Sequence, residues 1–240
     1  MYFLIEDKSA VSYKTALDVL CELCPDFKPQ TVMVDFETGE HSAIRAVFPT
    51  AVIKGCLFHF KQCIMRKYMK LPGYSENELM KSDLSAVYGL AFLPVHDVII
   101  GWNLIKAILQ AQYPAATAEF IRYFEANWIY STKYPLEMWN CYAITLSDDP
   151  RTNNLSEGSN NALNVSAGCS SPTICKFVDI LRRFNSEAEL KILQSSTGMN
   201  ANRKKRNKFV IRDERIKRTV LAYNPANKLS YCRSLGHLYE

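Results

Sequence analysis

The acid best placed for chemistry is Asp35, which closes the β-branched run TVMVD at residues 31–35. A carboxylate at a strand exit is held by a fixed backbone and exposed by the following loop, which is where open α/β sheets carry functional groups. The same position is more often a turn or cap, so Asp35 requires partners before it implies a reaction. Glu37, two residues on, either shares the Asp35 side or is a solvated loop acid. Cys56 and His59 form a Cys-x2-His pair, and thiolate with imidazole is a donor set for Zn²⁺. Structural zinc takes four ligands, and Cys63, His96, Cys169 and Cys175 offer no second pair of decisive spacing. A buried thiol beside a satisfied core histidine fits at least as well. In RTNNLSEGSNN, residues 151–161, Arg151 suits a phosphate, while Asn153, Asn154 and Asn160 either shape an acidic site or supply caps and turns. Glu157 in the same stretch could instead interact with the open amides of a helix's first turn. Finally, RKKRNK offers Arg203, Lys204, Lys205, Arg206 and Lys208. These suit salt-sensitive contact with a DNA backbone, with a nuclear-import signal or a plain solvated surface as the other readings.

Charge supports a local rather than a global attraction for polyanions. The formal net charge is +5, yet residues 203–218 hold nine Lys or Arg against Asp213 and Glu214, so that segment contributes +7 and the remainder is −2. With 48% apolar and 22% charged residues the chain has the composition of a globular protein. Eight cysteines in 240 residues are too few for a disulfide scaffold, which favours reduced thiols. No apolar run approaches the length of a membrane span, and the opening residues lack the layout of a signal peptide, so an intracellular, non-membrane chain is expected.

The elements that must position these groups follow from periodicity. Residues 2–5 read as a short strand, 11–24 as a helix with Tyr13, Leu17, Leu20 and Cys24 on one face, 31–35 as a strand, and 40–47 as a short helix. AVIKGC at 51–56 reads as the next strand, and 57–69 as a helix turning Phe60 and Ile64 to a core. Strand–helix alternation predicts a mainly α/β architecture. Residues 72–148 change texture, with stripes at Trp102, Ile105, Leu109 and at Phe120, Phe124, Trp128, separated by Pro114; this predicts a helical insertion. Asn154 or Ser156 could cap a helix through Glu157 to Val165, and Thr173 precedes a longer helix carrying Ile174, Phe177, Leu181 and Phe184. A last helix is expected over 213–223. The aromatic residues of the insertion read as core or interlobe packing rather than as platforms for bases.

Taken in order, DFETGEHSA, FPTAVIKGCLFHFKQCIMRK and RTNNLSEGSNNALN resemble the Mutator-like element (MULE) transposases, eukaryotic DDE enzymes of transposable elements with a ribonuclease H-like core. The resemblance spans roughly residues 2–190, and the ending YCRSLGHLY is also similar to animal members. It implies that Asp35 matches the second catalytic acid, Glu157 the last, and Cys56 and His59 the family's Cys-x2-His element. It further implies Mg²⁺ or Mn²⁺ as cofactor, DNA as partner, a nuclear location and DNA strand cleavage and transfer as ancestral activity. Two such ions bridge a scissile phosphate, activate water or a 3′-hydroxyl and stabilise the leaving oxygen. The family's first acid lies on a core strand ahead of a segment like MYFLIE; Met1 stands four residues before Ile5, so no counterpart is expected and the polypeptide alone should cleave weakly or not at all. The implied fold is α/β, an incomplete ribonuclease H-like core with a helical insertion and a helical C-terminal region. Its units are a partial core at 1–71, the insertion at 72–148, C-terminal core helices at 149–195 and a basic segment at 196–240. A transposase-derived, noncatalytic DNA-binding or chromatin-associated protein and an α/β protein-interaction module are the alternatives. Zn²⁺ occupancy, self-association and the DNA sequence recognised stay open.

Overall fold

The computed structural model describes residues 2–197 and 207–238. Helix α1, Ala10–Leu23, begins where the Ser9 side chain accepts from the Ser12 amide and so satisfies an orphan donor of the first turn. Strand β1, Thr31–Val34, helix α2, Thr38–Val47, and strand β2, Val52–Gly55, then form one βαβ unit. Its strands are parallel, with Thr31 opposite Val52 and Val34 opposite Gly55. Helix α3, Leu57–Tyr68, leaves directly from the end of β2 and buries Phe60, Ile64 and Tyr68 at four-residue spacing. The strand expected at residues 2–5 does not form. Tyr2, Phe3 and Leu4 are exposed, and no described strand pairs with them; a strand exists only through its ladder to a neighbour.

The described chain is otherwise mostly helical, and the small parallel sheet with its helices is consistent with an α/β class. Helices α4 (Glu78–Gly89), α5 (Val95–Gln112), α6 (Pro114–Phe124), α7 (Leu136–Trp139) and α8 (Tyr142–Leu146) follow in order. Pro114 opens α6 at a position where its missing N–H costs no helical bond. Both expected stripes are buried: Trp102, Ile105 and Leu109 of α5, and Phe120, Phe124 and Trp128 at and beyond α6. They pack together, with the Trp102 and Phe124 rings 4.6 Å apart, while Phe60 of α3 stacks on Trp139 at 4.7 Å. A second, smaller apolar cluster joins Val34, Ile44 and Met138, with Leu17, Phe36 and Ile53 against it, and so ties α1, α2 and the sheet to α7.

Helix α9, Asn154–Ala167, ends at Gly168, whose positive φ closes it in the left-handed conformation. Helix α10, Ile174–Ser196, is capped by Thr173 and buries Ile180, but Ile174, expected in its apolar stripe, is exposed. Helices α11, Asn207–Leu221, and α12, Lys228–His237, return to the main core through Ile216, Val220, Cys232 and Leu235. The packing of α12 on α4 is close enough that a Cβ on Gly89 would lie 2.4 Å from the Cys232 Cα, and one on Gly236 2.5 Å from the Ser85 carbonyl oxygen. Among the described residues, no helix is long and apolar enough to cross a membrane.

Candidate metal and nucleic-acid site

The register of the two strands sets the site. Val34 lies opposite Gly55, so the next residues, Asp35 and Cys56, emerge together at the carboxyl ends of neighbouring parallel strands. The Cys56 amide still donates to the Val34 carbonyl at 2.8 Å, which extends the ladder to that point. Cys56 is the N-cap of α3, and His59 falls in the first turn three residues later, on the same side.

The backbone beside Asp35 is held from several directions. The Phe36 ring lies over Gly55, where a Cβ would come within 2.4 Å of it, so a side chain at 55 would displace the ring. Trp128 and Tyr134 meet the same ring edge-on at 4.8 and 5.3 Å, and the Tyr134 hydroxyl donates to the Phe36 carbonyl at 2.8 Å. His41 of α2 contacts the Asp35 carbonyl at 2.5 Å through Nε2. Burial holds the His41 pKa below its ordinary value, so the neutral ring with its proton on Nε2 is the fitting donor.

At the carboxylate, Asp35 Oδ1 lies 2.6 Å from His59 Nδ1 and accepts from Asn153 Nδ2 at 2.9 Å. Asn153 Oδ1 in turn accepts from the Cys56 thiol at 3.0 Å. One amide thus bridges both strand ends from 118 residues away along the chain. Asn153 is the N-cap residue of α9 yet makes no capping bond, because its side chain is engaged at the site instead. Donor atoms of Asp35, Cys56 and His59 all lie within 4.8 Å of one another. Burial raises the Cys56 pKa, while backbone amides of Asn153, His59 and Phe58 favour the thiolate.

Two acids of α2 and its approach complete the electrostatics. Glu37 is bound by Lys8 at 2.6 Å and by the Tyr13 hydroxyl at 3.1 Å, and the Lys8 bond chiefly lowers its pKa. Glu40 is pushed up to about 7, first by burial and then by the charges of Asp35 and Glu37. The one sequence cue to Glu40 is its place in the first turn of the helix that follows the strand-end acid.

The donor set decides which ion fits. One carboxylate oxygen, one thiolate sulfur and one imidazole nitrogen match a borderline-soft ion such as Zn²⁺, with a fourth position open. A hard ion such as Mg²⁺ would take only Asp35 of the three and fill its shell with further oxygens. Tetrahedral bonds of about 2.0–2.3 Å separate neighbouring ligand atoms by roughly 3.3 Å. The 2.6 Å contact between Asp35 and His59 must therefore open for one ion to be shared by both.

The remaining residues singled out by the sequence land differently. Arg151 is mostly buried, paired with Asp213 at 2.7 Å, and its carbonyl accepts from the Leu57 amide at 3.0 Å; it is not presented as an open phosphate contact. Asn160 is exposed on α9. Asn154 and Glu157 belong to α9, but their side chains lie outside the described residues. Arg203, Lys204, Lys205 and Arg206 also lie outside them, as does the side chain of Lys208, whose backbone belongs to α11. Neither Cys63, His96, Cys169 nor Cys175 joins the Asp35 cluster.

No curated protein and no solved structure matches this chain. Residues 1–63, which run from the first residue through the βαβ unit into α3 and carry Asp35, Cys56 and His59, match the family model described as MULE transposase domain, and through that segment the chain is related to the MULE transposases.

Proposed function

We propose that the chain is a partial Mutator-like transposase core of ribonuclease H-like descent, in which Asp35 and Glu157 are the oxygen donors of a divalent-cation site facing DNA. The observation that carries this reading is the docking of the α9 N-terminus on Asp35: Asn153 grips the carboxylate, and Glu157 follows four residues later, one helical turn on. The family match across residues 1–63 supports the same reading. Asp35 would hold the cation through its carboxylate, Asn153 would orient that carboxylate, and Glu157 would supply a second oxygen from α9. When bound, Mg²⁺ or Mn²⁺ would neutralise phosphate charge and ease deprotonation of water or a 3′-hydroxyl. His59 would restrain the Asp35 rotamer directly, and Cys56 would do so through the Asn153 amide. The proposed units are the partial core at 1–71, the insertion at 72–148, the following helices at 149–195 and the basic segment at 196–240, whose Arg203, Lys204, Lys205, Arg206 and Lys208 would contact the DNA backbone in the nucleus.

Weak Mn²⁺ binding and slow DNA cleavage are expected, because Asp35 is already engaged by Asn153 and His59 and must be released before it can hold an ion. Asp35→Asn and Glu157→Gln should each abolish Mn²⁺ binding by calorimetry with circular dichroism unchanged. If Mn²⁺ affinity is indifferent to Glu157→Gln, the shared site is wrong; vigorous cleavage lost on Asp35→Asn would overturn the weak-catalysis reading. DNA affinity should fall steeply with salt and with neutralisation of residues 203–208.

A noncatalytic DNA-binding or chromatin-associated role is favoured by a different observation. Asp35 already accepts from Asn153 and lies against His59, so its carboxylate is engaged within the protein as a latch. Retained DNA binding with no response to Mn²⁺ or Zn²⁺ would select this reading.

A further inference from the structure

We infer that Asp213, on helix α11, is a positioning residue for the Asp35–Cys56–His59 site, acting through Arg151 to hold Asn153 in place. This role rests on the proposed location of the site but not on its occupation by metal.

Leu57 is the first residue of α3, where an amide has no carbonyl one turn earlier to accept its hydrogen. Its acceptor is the carbonyl of Arg151, at 3.0 Å. Two residues beyond Arg151, Asn153 reaches Asp35 and Cys56. The docking of residues 151–153 on the start of α3 is therefore what brings the bridging amide to the strand ends. What holds that segment is the Arg151 guanidinium, whose side chain is only 14% exposed and pairs with Asp213 at 2.7 Å. A cation this sheltered needs a matched countercharge, and removing one partner leaves the other desolvated. Helix α11 makes a second link, from Lys217 to Asp148, at the residue where the chain reverses with φ of 60°. The helix is a firm anchor for both, because Ile216 and Val220 are fully buried in the main core. Asp213 is thus the acid within a basic segment that faces inward to the site's support, and a charge count of the segment conceals this.

The test is Asp213→Asn, which keeps shape and removes charge. Two local reporters are read: exchange of the Leu57 amide, and alkylation of Cys56 followed by peptide mass mapping. Cys232, buried in the α4–α12 contact, is the internal reference for global opening. Loss of a charge-assisted bond predicts that Leu57 exchange and Cys56 alkylation accelerate about tenfold to a hundredfold, with Cys232 unchanged and Asp213→Glu restoring much of the protection. Unchanged Leu57 and Cys56 rates overturn the inference, as does acceleration matched at Cys232. If Asp213→Asn does not fold, Arg151→Lys loosens the same pair from its other side while keeping the charge; it should accelerate both reporters about threefold, and no change at either would overturn the inference. A chain that shows these local responses but binds no Mn²⁺ refutes the metal reading and leaves the positioning role intact.

Discussion

Asn153 gives the sharpest test of how the site is assembled, because two substitutions at this one position should diverge. Asn153→Ala deletes the bond to the Asp35 carboxylate at 2.9 Å and the acceptor of the Cys56 thiol at 3.0 Å. A bond to a charged group contributes about 1.5–3 kcal/mol and a thiol bond less. The Asp35 side chain is 35% exposed and can regain water, so a net loss of about 1–2 kcal/mol is expected. Asn153→Asp keeps the shape but sets a second carboxylate against the first. Like charges roughly 4 Å apart repel by about 4 kcal/mol at an effective dielectric of about 20. Allowing for solvent around Asp35 brings this to about 2 kcal/mol beyond the loss in Asn153→Ala. The two variants should then respond oppositely to conditions. In Asn153→Asp one carboxyl of the pair has its folded pKa raised, so the added deficit is small at low pH and grows as pH rises through that raised value. Mn²⁺ or Zn²⁺ should also rescue Asn153→Asp, since paired carboxylates form a chelate, and leave Asn153→Ala unimproved. Urea unfolding with and without each ion, at about pH 5 and about pH 8, separates these outcomes. Equal stability of the two variants in chelator, with no response of either to metal, would mean that residue 153 does not sit on Asp35 at all.

Glu40→Gln should flatten the pH dependence of stability: a carboxyl raised from 4.5 to about 7 favours the fold while protonated, so stability declines as pH rises from about 4.5 through about 7. At full weight that shift corresponds to about 3 kcal/mol, and discounting for partial solvation leaves about 1–2 kcal/mol; urea midpoints of the variant that still fall across this window would refute the assignment. Gly89→Ala and Gly236→Ala each drive a methyl group into backbone atoms 2.4–2.5 Å away. Each should cost about 2 kcal/mol net of the gain in helix propensity, or a fall of roughly 4–8 °C in Tm; a variant as stable as the native chain would place α12 away from α4.

The parts that could be read from sequence were those with strong local pattern. TVMVD and AVIKGC became β1 and β2 within a residue or two, and the aromatic spacing of α5 and α6 marked a buried helical face. Sequence also singled out Asp35, Cys56 and His59, and strand register brings them together. What escaped depended on long-range choice. Asn153 could cap α9 or serve the site, and only the approach of Asp35 and Cys56 decides between them. Arg151 reads as a phosphate contact until Asp213, 62 residues later, takes its charge. The residue 2–5 segment has the composition of a strand but no described partner, and Glu40 owes its perturbation to burial that no neighbouring residue announces.

The same distinction explains why the donors alone do not make the site. All three potential ligands lie within residues 1–63, but a two-stranded sheet is marginal by itself in water. Its strand ends are fixed by later residues: Trp128 and Tyr134 clamp Phe36, Lys54 donates to the Glu137 carbonyl at 2.7 Å, and Arg151 caps the start of α3. These later helical residues are therefore the wall against which the βαβ unit is held, and they fix the direction in which Asp35 points. Because α9 begins immediately after Asn153, the contact that orients Asp35 also fixes the start of the helix bearing Glu157. Apart from the Asn153 bond to Asp35, the contacts that build the cleft, between aromatic rings, backbone carbonyls and the two ion pairs of α11, use different atoms from those that would hold a metal.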